Sequence, residues 1–440
     1  MKQDTPPLSY SRRRVIGGAA AAAVASAFGL ISCSKEEPQM ATNPKEVTDS
    51  VLPIRPFTVN IPNDDLIDLR RRINATRWPD RETVQDSTQG VQLATIQKLA
   101  KHWANDYDWR KTEARINAVP NFVTTIDGLD IHFMHVKSKH EDALPLLVAH
   151  GWPGSFVELM KLIGPLTDPT AHGGNASDAF HLIIPSMPGY GFSARPTTTG
   201  WGPVRIADAY NTLMDRLGYT KWGAQGGDWG AVIVDLMALK TPHGLVGIHT
   251  NMPGVIPPAI DQALFKGDPP PAGLSPEEQR CAEQVATTYK HIGYAVMMGD
   301  RPQTLTGLTD SPVGLAAFML DHDPKSYEMI ARSIDGKTEG MTPDDVLDNI
   351  TLFWLTNTAL SSARLYWENK TPYFSSKGVQ VPVGVSAFPD ELYQAPKSWS
   401  EQAYPKLVYY NAPAKGGHFA AWEQPVALSN DIRATFRTLR

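Results

Sequence analysis

The pentapeptide Gly226-Gly227-Asp228-Trp229-Gly230 joins a strand-like stretch at residues 220–225 to a helix-like stretch at residues 231–239. Glycines two positions before and two positions after Asp228 reproduce the spacing of a nucleophile elbow, with aspartate in the place where serine is usual. A strand that turns sharply into a helix strains the backbone of its central residue, and side chains at the flanking positions would collide. The pattern therefore predicts a nucleophile at Asp228.

An aspartate at the centre of this turn indicates a particular chemistry. A carboxylate is already ionised at neutral pH, so it needs no base to become a nucleophile. It suits attack on an sp3 carbon, which produces an alkyl ester that water must later hydrolyse. The alternative interpretation is a glycine-rich strand-to-helix turn in which Asp228 only caps the helix. The remaining motifs distinguish the two.

The composition is that of an ordinary globular protein and narrows the range of partners. The chain has 440 residues, 42% of them hydrophobic and 20% charged, which is enough to bury a large core. A formal net charge of -5 shows no polybasic signature, so no nucleic-acid partner is expected. Two cysteines, Cys33 and Cys281, exclude a disulfide framework and a thiolate metal cage.

The N-terminus has the pattern of an export signal. Arg12-Arg13-Arg14 precedes an Ala/Gly-rich apolar run to Ile31, which resembles a twin-arginine signal peptide. Leu30-Ile31-Ser32-Cys33 resembles a lipobox, although a chance cysteine beside an alanine-rich helix is the alternative. We therefore expect residues 1–32 to be a signal peptide, Cys33 to be lipidated, and residues 33–52 to be a flexible tether. The protein would be periplasmic or anchored to the cell envelope, with membrane contact through that lipid alone.

Short apolar runs predict a parallel α/β sheet of eight strands. Two of them, residues 122–126 and 131–136, flank Asp127-Gly128 and form a hairpin signal. The others are continuous apolar runs separated by helix-length segments, which is typical of a mostly parallel sheet with helices on both faces. These runs are residues 144–149, 181–185, 220–225, 246–249, 381–386 and 407–410.

The intervals between these strands define the expected domains. Residues 53–120 contain three short helical patterns with too few apolar faces for their own core, and form a meander packed on the main domain. Residues 121–253 and 379–440 form the α/β core. Residues 254–378 are an inserted helical lid over the carboxyl ends of the strands, where ligands of such sheets bind. Its helices begin after Ser275, Ser311 and Thr342, and the last runs toward Glu368.

Three further stretches supply the groups that a carboxylate nucleophile needs. His150-Gly151-Trp152-Pro153-Gly154 follows the third strand, so the Trp152 N–H can form an oxyanion hole with the Trp229 N–H. His418, in a glycine-rich loop after the last strand, has the position of a general base. The acid that orients it should follow the penultimate strand, where both Asp390 and Glu391 are candidates.

These stretches, in this order, are similar to epoxide hydrolases of the microsomal type within the α/β-hydrolase superfamily, including their N-terminal segment. The similarity extends from about Arg55 to the C-terminus. The stretches that carry it are Tyr107-Asp108-Trp109-Arg110, His150-Gly151-Trp152-Pro153-Gly154-Ser155, Pro188-Gly189-Tyr190-Gly191-Phe192-Ser193, Gly226-Gly227-Asp228-Trp229-Gly230, Arg301-Pro302-Gln303-Thr304, Leu308-Thr309-Asp310-Ser311-Pro312-Val313-Gly314-Leu315 and Gly416-Gly417-His418-Phe419-Ala420-Ala421. One departure is Met297-Met298-Gly299-Asp300, where the family usually has a more polar stretch.

The resemblance implies the α/β-hydrolase fold and an ether-bond hydrolase without metal or cofactor. It assigns the acid to Glu391, and it leaves open whether Asp390 assists. It also implies that two lid tyrosines, Tyr294 and Tyr366, bind the epoxide oxygen, with Trp152 beside the substrate. Asp228 would form a hydroxyalkyl ester, water activated by His418 would hydrolyse it, and a vicinal diol would leave. The substrate is a small-molecule epoxide, and detoxification is the expected role.

Two other functions fit parts of the same pattern. A haloalkane dehalogenase uses the same Asp–His–acid set, and Trp229 resembles half of a halide-binding pair. Trp152 occupies the position of the second halide donor, an asparagine in many dehalogenases, and the two tyrosines favour epoxides. A catalytically silent, lipid-anchored binding protein could reuse the fold. The intact Asp228, His418 and Glu391 argue against it.

Overall fold

The computed structural model describes residues 53–440, and within them nine strands form one mixed sheet. The spatial order of the strands is β1-β2-β3-β5-β4-β6-β7-β8-β9. The strands are β1 Arg55–Phe57, β2 Asn121–Ile126, β3 Leu129–Val136, β4 Leu144–Ala149, β5 Phe180–Pro185, β6 Trp222–Gly226, β7 Leu245–Thr250, β8 Val383–Ser386 and β9 Leu407–Asn411.

The sheet has one strand more than the predicted eight. The extra strand is β1, which pairs antiparallel with β2 at the edge of the sheet. It has three residues and contains Pro56, so it is too short for an alternating pattern and lacks one backbone donor. A three-residue edge strand depends on its neighbour for its conformation, and the sequence pattern did not reveal it.

The predicted parallel arrangement is confirmed from β4 onward. The pairs β4–β5, β4–β6, β6–β7, β7–β8 and β8–β9 are parallel, whereas β1–β2, β2–β3 and β3–β5 are antiparallel. Every residue of β4, β6 and β8 is buried, so both faces of the sheet are covered there. Because parallel strands end at the same edge, the loops after β4, β6, β8 and β9 converge at one place.

Seventeen α-helices lie within the described residues, and short 3₁₀ helices adjoin several of them. The helices are α1 Asn63–Asn74, α2 Leu93–Asn105, α3 Trp109–Asn117, α4 Phe156–Leu159, α5 Ile163–Thr167, α6 Pro203–Arg216, α7 Trp229–Leu239, α8 Pro258–Lys266, α9 Pro276–His291, α10 Gly293–Asp300, α11 Pro312–Leu320, α12 Pro324–Ile334, α13 Pro343–Leu355, α14 Ala359–Glu368, α15 Lys397–Ala403, α16 Ala420–Glu423 and α17 Pro425–Phe436. Helices α8 to α14 lie between β7 and β8, in the stretch expected to be helical.

The last helical pattern before β8 is two helices rather than one. The sequence prediction was a single helix from Thr342 toward Glu368, but α13 ends at Leu355 and α14 begins at Ala359. Asn357 between them has a φ of +51°, a left-handed conformation that ends helices and that asparagine tolerates. The break turns the chain, and Tyr366 is on the second helix.

The N-terminal helices pack against helix α13 through buried polar contacts. The Tyr107 hydroxyl donates to Asp348 at 2.8 Å, and the Trp103 indole donates to Thr351 at 2.9 Å. Arg115 also pairs with Asp348. The meander at residues 53–120 therefore supports a helix of the stretch between β7 and β8 as well as the sheet, although the proposed domain boundaries stay a prediction.

The predictions for the signal peptide at residues 1–32, for lipidation of Cys33 and for the tether at residues 33–52 lie outside the described residues. Within residues 53–440, no helix combines the length and the apolar character that crossing a bilayer requires. Cys281 is buried in helix α9, and burial raises the pKa of its thiol.

Candidate active site

The turn between β6 and α7 has the strained geometry that its glycines predict. Asp228 has a φ of +52° and a ψ of -128°, which non-glycine residues rarely adopt. A Cβ added at Gly226 would overlap the Gly230 carbonyl, and one added at Gly230 would overlap the Ala149 carbonyl. Glycine is therefore required at both positions for the strand, the turn and the helix to pack so closely.

The two oxygens of the Asp228 carboxylate lie in different surroundings. Oδ1 accepts a hydrogen bond from the Trp152 backbone N–H at 2.7 Å. Trp229 is the first residue of α7 and follows Asp228 directly, so its N–H has no acceptor within the helix. Oδ2 accepts a hydrogen bond from the Tyr373 hydroxyl at 2.5 Å. Trp152 therefore contacts the nucleophile directly. The oxyanion hole formed by the Trp152 and Trp229 N–H groups stays a prediction.

His418 and Glu391 form a buried pair next to Asp228. The Nδ1 atom of His418 is 2.6 Å from Glu391 Oε1, and its Nε2 atom is 3.9 Å from Asp228 Oδ2. Glu391 Oε1 also accepts the Leu392 N–H at 2.8 Å, so the carboxylate is held in place. Asp390 is exposed, whereas Glu391 is buried. Of the two acids, Glu391 therefore orients the histidine.

Charge around His418 determines its protonation. Burial lowers the pKa of His418, but the Glu391 carboxylate, followed by Asp228 and Asp323, outweighs that effect and raises the pKa to about 10. With an ionised Asp228, His418 is therefore an imidazolium at neutral pH. Any reaction that neutralises Asp228 removes one of the charges that stabilise the imidazolium, and so lowers the pKa of His418.

Tyr294 and Tyr366 approach the elbow from helices α10 and α14. The Tyr294 ring stacks on the Trp152 indole at a centroid distance of 4.9 Å, and the Tyr366 ring packs edge-on to Trp229 at 4.9 Å. The two phenol rings are 6.2 Å apart. Burial, with the charge of Asp228 contributing, raises the pKa of both hydroxyls well above the ordinary value. Both phenols are therefore neutral hydrogen-bond donors.

These tyrosines line an apolar cavity of about 450 Å³. Its other walls come from aromatic and aliphatic side chains of the helices, of the loop after α14 and of the loop after β8, among them Trp229, Phe265, Tyr289, Tyr373 and Leu392. A concave apolar site with a few convergent hydroxyls is typical of small-molecule binding. The hydroxyls and the nucleophile together form a site where a polarised carbon–oxygen bond could be opened.

Comparison with known proteins agrees with this geometry. The family model described as "Epoxide hydrolase N terminus" matches residues 54–159, and the one described as "alpha/beta hydrolase fold" matches residues 145–271. A protein of Stigmatella aurantiaca, provisionally named an epoxide hydrolase, is 52% identical to this chain over 392 residues. The aligned region covers 88% of this chain and 86% of that protein. Epoxide hydrolase 1 of Sus scrofa is 36% identical over 86% of this chain and 88% of its own length. The chain belongs to the epoxide hydrolase family.

Solved structures of this family share its fold. The juvenile hormone epoxide hydrolase from the silkworm Bombyx mori has a TM-score of 0.78 and 31% identity, over 90% of this chain and 97% of that chain. The Aspergillus niger epoxide hydrolase has a TM-score of 0.73 and 28% identity, over 89% of this chain and 97% of that chain. The predicted α/β-hydrolase fold is therefore confirmed.

Tyr373 is a residue of this epoxide hydrolase site that the sequence analysis missed. It follows Pro372 in the loop between α14 and β8, packs against Trp229 at a ring distance of 4.8 Å, and donates to Asp228. Burial and the charge of Asp228 raise the pKa of its hydroxyl well above the ordinary value. An irregular loop offers no periodic signal, so only the folded chain shows that this third phenol reaches the nucleophile.

His322 is the second residue that the sequence analysis missed. Its ring lies 4.2 Å from that of His418, and its Nδ1 atom is 2.9 Å from Asp323. Burial raises the pKa of Asp323, but the His322 hydrogen bond, with the charges of His322 and His418, lowers it to about 2. Asp228, His322 and His418 place possible ligand atoms within 4.8 Å of one another, so these three residues are also a group that could hold a metal ion.

Proposed function

We propose that the protein hydrolyses an epoxide to a vicinal diol through a covalent ester on Asp228. The observation that carries the proposal is the juxtaposition of a carboxylate nucleophile, two neutral phenols and a histidine–glutamate pair. Membership of the epoxide hydrolase family and the structural likeness to two epoxide hydrolases support it. Neither a dehalogenase nor a non-catalytic binding protein is favoured by those comparisons.

Ring opening is the first step. The hydroxyls of Tyr294 and Tyr366 donate hydrogen bonds to the epoxide oxygen, and one of them protonates the alkoxide as it forms. Asp228 Oδ2 attacks a ring carbon from the opposite side, the carbon–oxygen bond breaks, and a hydroxyalkyl ester results. Asp228 Oδ1, hydrogen-bonded to the Trp152 N–H, becomes the carbonyl oxygen of that ester.

Ester hydrolysis is the second step, and the charge of Asp228 couples it to the first. Alkylation removes the negative charge that helps to keep His418 protonated, so the pKa of His418 falls. The imidazolium proton replaces the one that the tyrosine gave to the alkoxide, and the His418 ring becomes available as a base. His418, oriented by Glu391, takes a proton from water while the water oxygen attacks the ester carbonyl carbon. The N–H groups of Trp152 and Trp229 bind the oxyanion.

The substrate that fits the cavity is an epoxide with an apolar body. The walls of the 450 Å³ cavity are mainly aromatic and aliphatic, and no basic side chain lines it among the described residues. The Asp261 carboxylate also lines it, but that group already accepts hydrogen bonds from Tyr289 and Ser375. An apolar epoxide therefore loses water-exposed surface on binding without leaving a charge unpaired. Detoxification of such compounds is the corresponding proposed role. Styrene oxide, limonene oxide and aliphatic epoxides are suitable test compounds.

The proposed location is the cell envelope, and the sequence of the N-terminus supports it. The arginine-led apolar run to Ile31 and the Leu30-Ile31-Ser32-Cys33 stretch favour export by a twin-arginine-type signal and lipidation of Cys33. Mass spectrometry of the mature N-terminus tests both steps. A lipid-modified Cys33 as the first residue is the expected result, and an unprocessed Met1 contradicts it.

A single-turnover reaction in oxygen-18 water tests the covalent route. Enzyme in excess over styrene oxide should carry the label in the Asp228 carboxylate, because water attacks the ester carbonyl carbon and the diol leaves with the original aspartate oxygen. The measurement is mass spectrometry of the peptide that contains Asp228. Label found in the diol alone would mean that water opens the epoxide directly.

Replacing either lid tyrosine by phenylalanine should slow ring opening. Tyr294→Phe or Tyr366→Phe removes one donor to the developing alkoxide, and we expect ester formation to slow about 100-fold in each variant. Stopped-flow measurement of tryptophan fluorescence reports the step, because Trp152 and Trp229 adjoin Asp228. Tyr327→Phe is the control, since that buried hydroxyl accepts the Gln92 N–H away from the site. Equal rates in all variants would contradict the assigned roles.

Replacing Tyr373 by phenylalanine should have the opposite effect. The Tyr373 hydroxyl is hydrogen-bonded to the oxygen that attacks, and a hydrogen bond to a charged group contributes about 1.5–3 kcal/mol. Ring opening must break that bond, so Tyr373→Phe should speed ester formation by about three- to tenfold when part of that energy is recovered. The same stopped-flow assay measures it. A slower reaction would show that Tyr373 assists the attack instead.

A further inference from the structure

A second, much smaller cavity adjoins the nucleophile. It has a volume of about 20 Å³ and shares no lining residue with the apolar cavity. Asp228 and His418 both line it, together with Glu158, Gln225 and Asn251. A cavity needs about 10–15 Å³ to hold one water molecule, and polar groups to bind it. This cavity therefore has room for one water molecule beside both the nucleophile and the base.

Glycines of the two loops create this space. Gly151, Gly154 and Gly227 all line the cavity. A Cβ added at Gly154 would overlap the Glu158 carboxyl group, and one added at Gly151 would overlap the Asp228 carboxylate. The chain can therefore bring a second carboxyl group close to the elbow only because residue 154 has no side chain.

The polar groups around the cavity have unused hydrogen-bonding capacity. The carboxyl group of Glu158, on helix α4, makes no hydrogen bond to any residue in the described range 53–440. Gln225 donates its amide to Asn251 Oδ1 at 2.8 Å, whereas its buried Oε1 atom has no partner among the described residues. Buried polar atoms are nearly always hydrogen-bonded, to protein or to ordered water. These two side chains therefore offer acceptors to a water molecule in the cavity.

The surroundings of Glu158 keep it uncharged near neutral pH. Burial raises the pKa of Glu158 to about 8, and the charge of His418 opposes that effect only in part. A protonated carboxyl group retains a carbonyl oxygen that accepts a hydrogen bond. Glu158 can thus hold a water molecule without placing a third negative charge beside Asp228 and Glu391.

We propose that this cavity binds the water molecule that hydrolyses the Asp228 ester, and that Glu158 is a further catalytic residue that orients this water. The inference rests on the proposed function, since it concerns the second step of that reaction. Glu158 accepts one hydrogen of the water, His418 Nε2 accepts the other, and the oxygen lone pair is directed at the Asp228 carbonyl carbon.

The step balances without any further reactant. The water oxygen bonds to the Asp228 carbonyl carbon, its proton moves to His418 Nε2, and the carbonyl electron pair moves to Oδ1. The carbonyl then re-forms, the bond between that carbon and the alkyl oxygen breaks, and the departing alkoxide takes the proton from His418. The second water proton remains on the new Asp228 carboxyl group and passes to His418 Nε2, which restores the carboxylate and the imidazolium. Glu158 exchanges no proton overall, so its contribution is to position the water.

Three variants of the full chain test the proposal with styrene oxide as the probe. Glu158→Met keeps a side chain of similar length without an acceptor, Glu158→Gln keeps a carbonyl acceptor, and Gly154→Ala displaces the Glu158 carboxyl while leaving it present. Stopped-flow fluorescence measures ester formation, and intact-protein mass spectrometry measures how much enzyme is esterified at steady state.

The expected pattern separates the two steps. Glu158→Met and Gly154→Ala should form the ester within about twofold of the wild-type rate but hydrolyse it at least about tenfold more slowly, so the esterified enzyme accumulates. Slower hydrolysis lowers kcat and KM together and leaves kcat/KM unchanged. Glu158→Gln should restore hydrolysis to within about threefold. A residue that only stabilised the fold would lower both rates.

The outcomes for the two proposals are distinct. If the wild-type enzyme forms no ester with any epoxide tested, the proposed function itself is overturned. If it forms the ester, and Glu158→Met and Gly154→Ala hydrolyse that ester at the wild-type rate, the function stands and the water site is overturned. Should Glu158→Met fail to fold, Gly154→Ala decides alone, because it retains every polar group of the cavity.

Discussion

Asp228→Asn is expected to abolish ester formation and to lower kcat/KM for an epoxide by about 10⁴-fold or more, as removal of a covalent nucleophile does. The amide is nearly isosteric with the carboxylate, and its oxygen can still accept the Trp152 N–H, so the elbow should remain folded. It carries no negative charge and is a poor nucleophile. Diol formation and the mass of the enzyme after exposure to substrate measure the effect.

The control for this variant is Asp390→Asn. Asp390 is an exposed carboxylate next to the acid that orients the histidine, so its replacement removes the same charge close to the site without touching the nucleophile. We expect wild-type turnover from it, and a large loss would show that Asp390 assists Glu391. Peptide mass spectrometry should confirm that the asparagine introduced by Asp228→Asn has not been hydrolysed back to aspartate. Steady turnover by a homogeneous Asp228→Asn enzyme would exclude the covalent route.

The glycines explain why so much of this site could be predicted from the sequence. Gly226 and Gly230 lie against backbone carbonyls, so no residue with a side chain fits at either position. The local sequence therefore predicts the geometry of the turn. The meeting of the catalytic loops could also be predicted from the sequence. Since parallel strands end at one edge, motifs after β4, β6, β8 and β9 had to meet there. Asp228 and His418 were therefore assigned without knowledge of a side-chain contact, and the acid was narrowed to Asp390 or Glu391. The family resemblance then selected Glu391.

Contacts between segments that are distant in the chain could not be predicted from local sequence patterns. Tyr373 is in a loop with no periodicity, and whether its hydroxyl reaches Asp228 depends on how the helices between β7 and β8 pack on the sheet. The position of the Glu158 carboxyl group could not be predicted either, because nothing in the local sequence shows that Gly154 leaves space for it. Tyr373 and Glu158 both lie outside the recognised motifs, and they approach the nucleophile only through the tertiary packing of the chain.

The charges of the site give an order to the two chemical steps. While Asp228 is ionised, the imidazolium of His418 offsets it, and the pKa of His418 of about 10 leaves little free base at neutral pH. Hydroxide is thus not generated beside an unreacted epoxide. Once Asp228 is an ester, Glu391 and Asp323 remain as the anions nearest the ring, and its pKa falls. The base becomes active after the nucleophile has reacted.

His418→Gln should therefore stop the enzyme after one turnover. Ring opening needs no base, so we expect the ester to form within about tenfold of the wild-type rate. Its hydrolysis should slow by about 10³-fold, the contribution of a positioned general base. The measurement is a stoichiometric burst of epoxide consumption with little diol, and an increase in protein mass equal to that of the epoxide, located on the peptide that contains Asp228.

His322→Gln is the matched control for that experiment. His322 is a buried histidine whose ring is 4.2 Å from that of His418, but its hydrogen bond is to Asp323 rather than to Glu391. Its loss should leave an enzyme that turns over repeatedly, because the His418–Glu391 pair at 2.6 Å is intact. The reverse result, with repeated turnover by His418→Gln and accumulation of the ester in His322→Gln, would assign the general base to His322 instead of His418. Because His418 alone combines the Glu391 hydrogen bond with an Nε2 atom 3.9 Å from Asp228, we expect the ester to accumulate in the His418 variant.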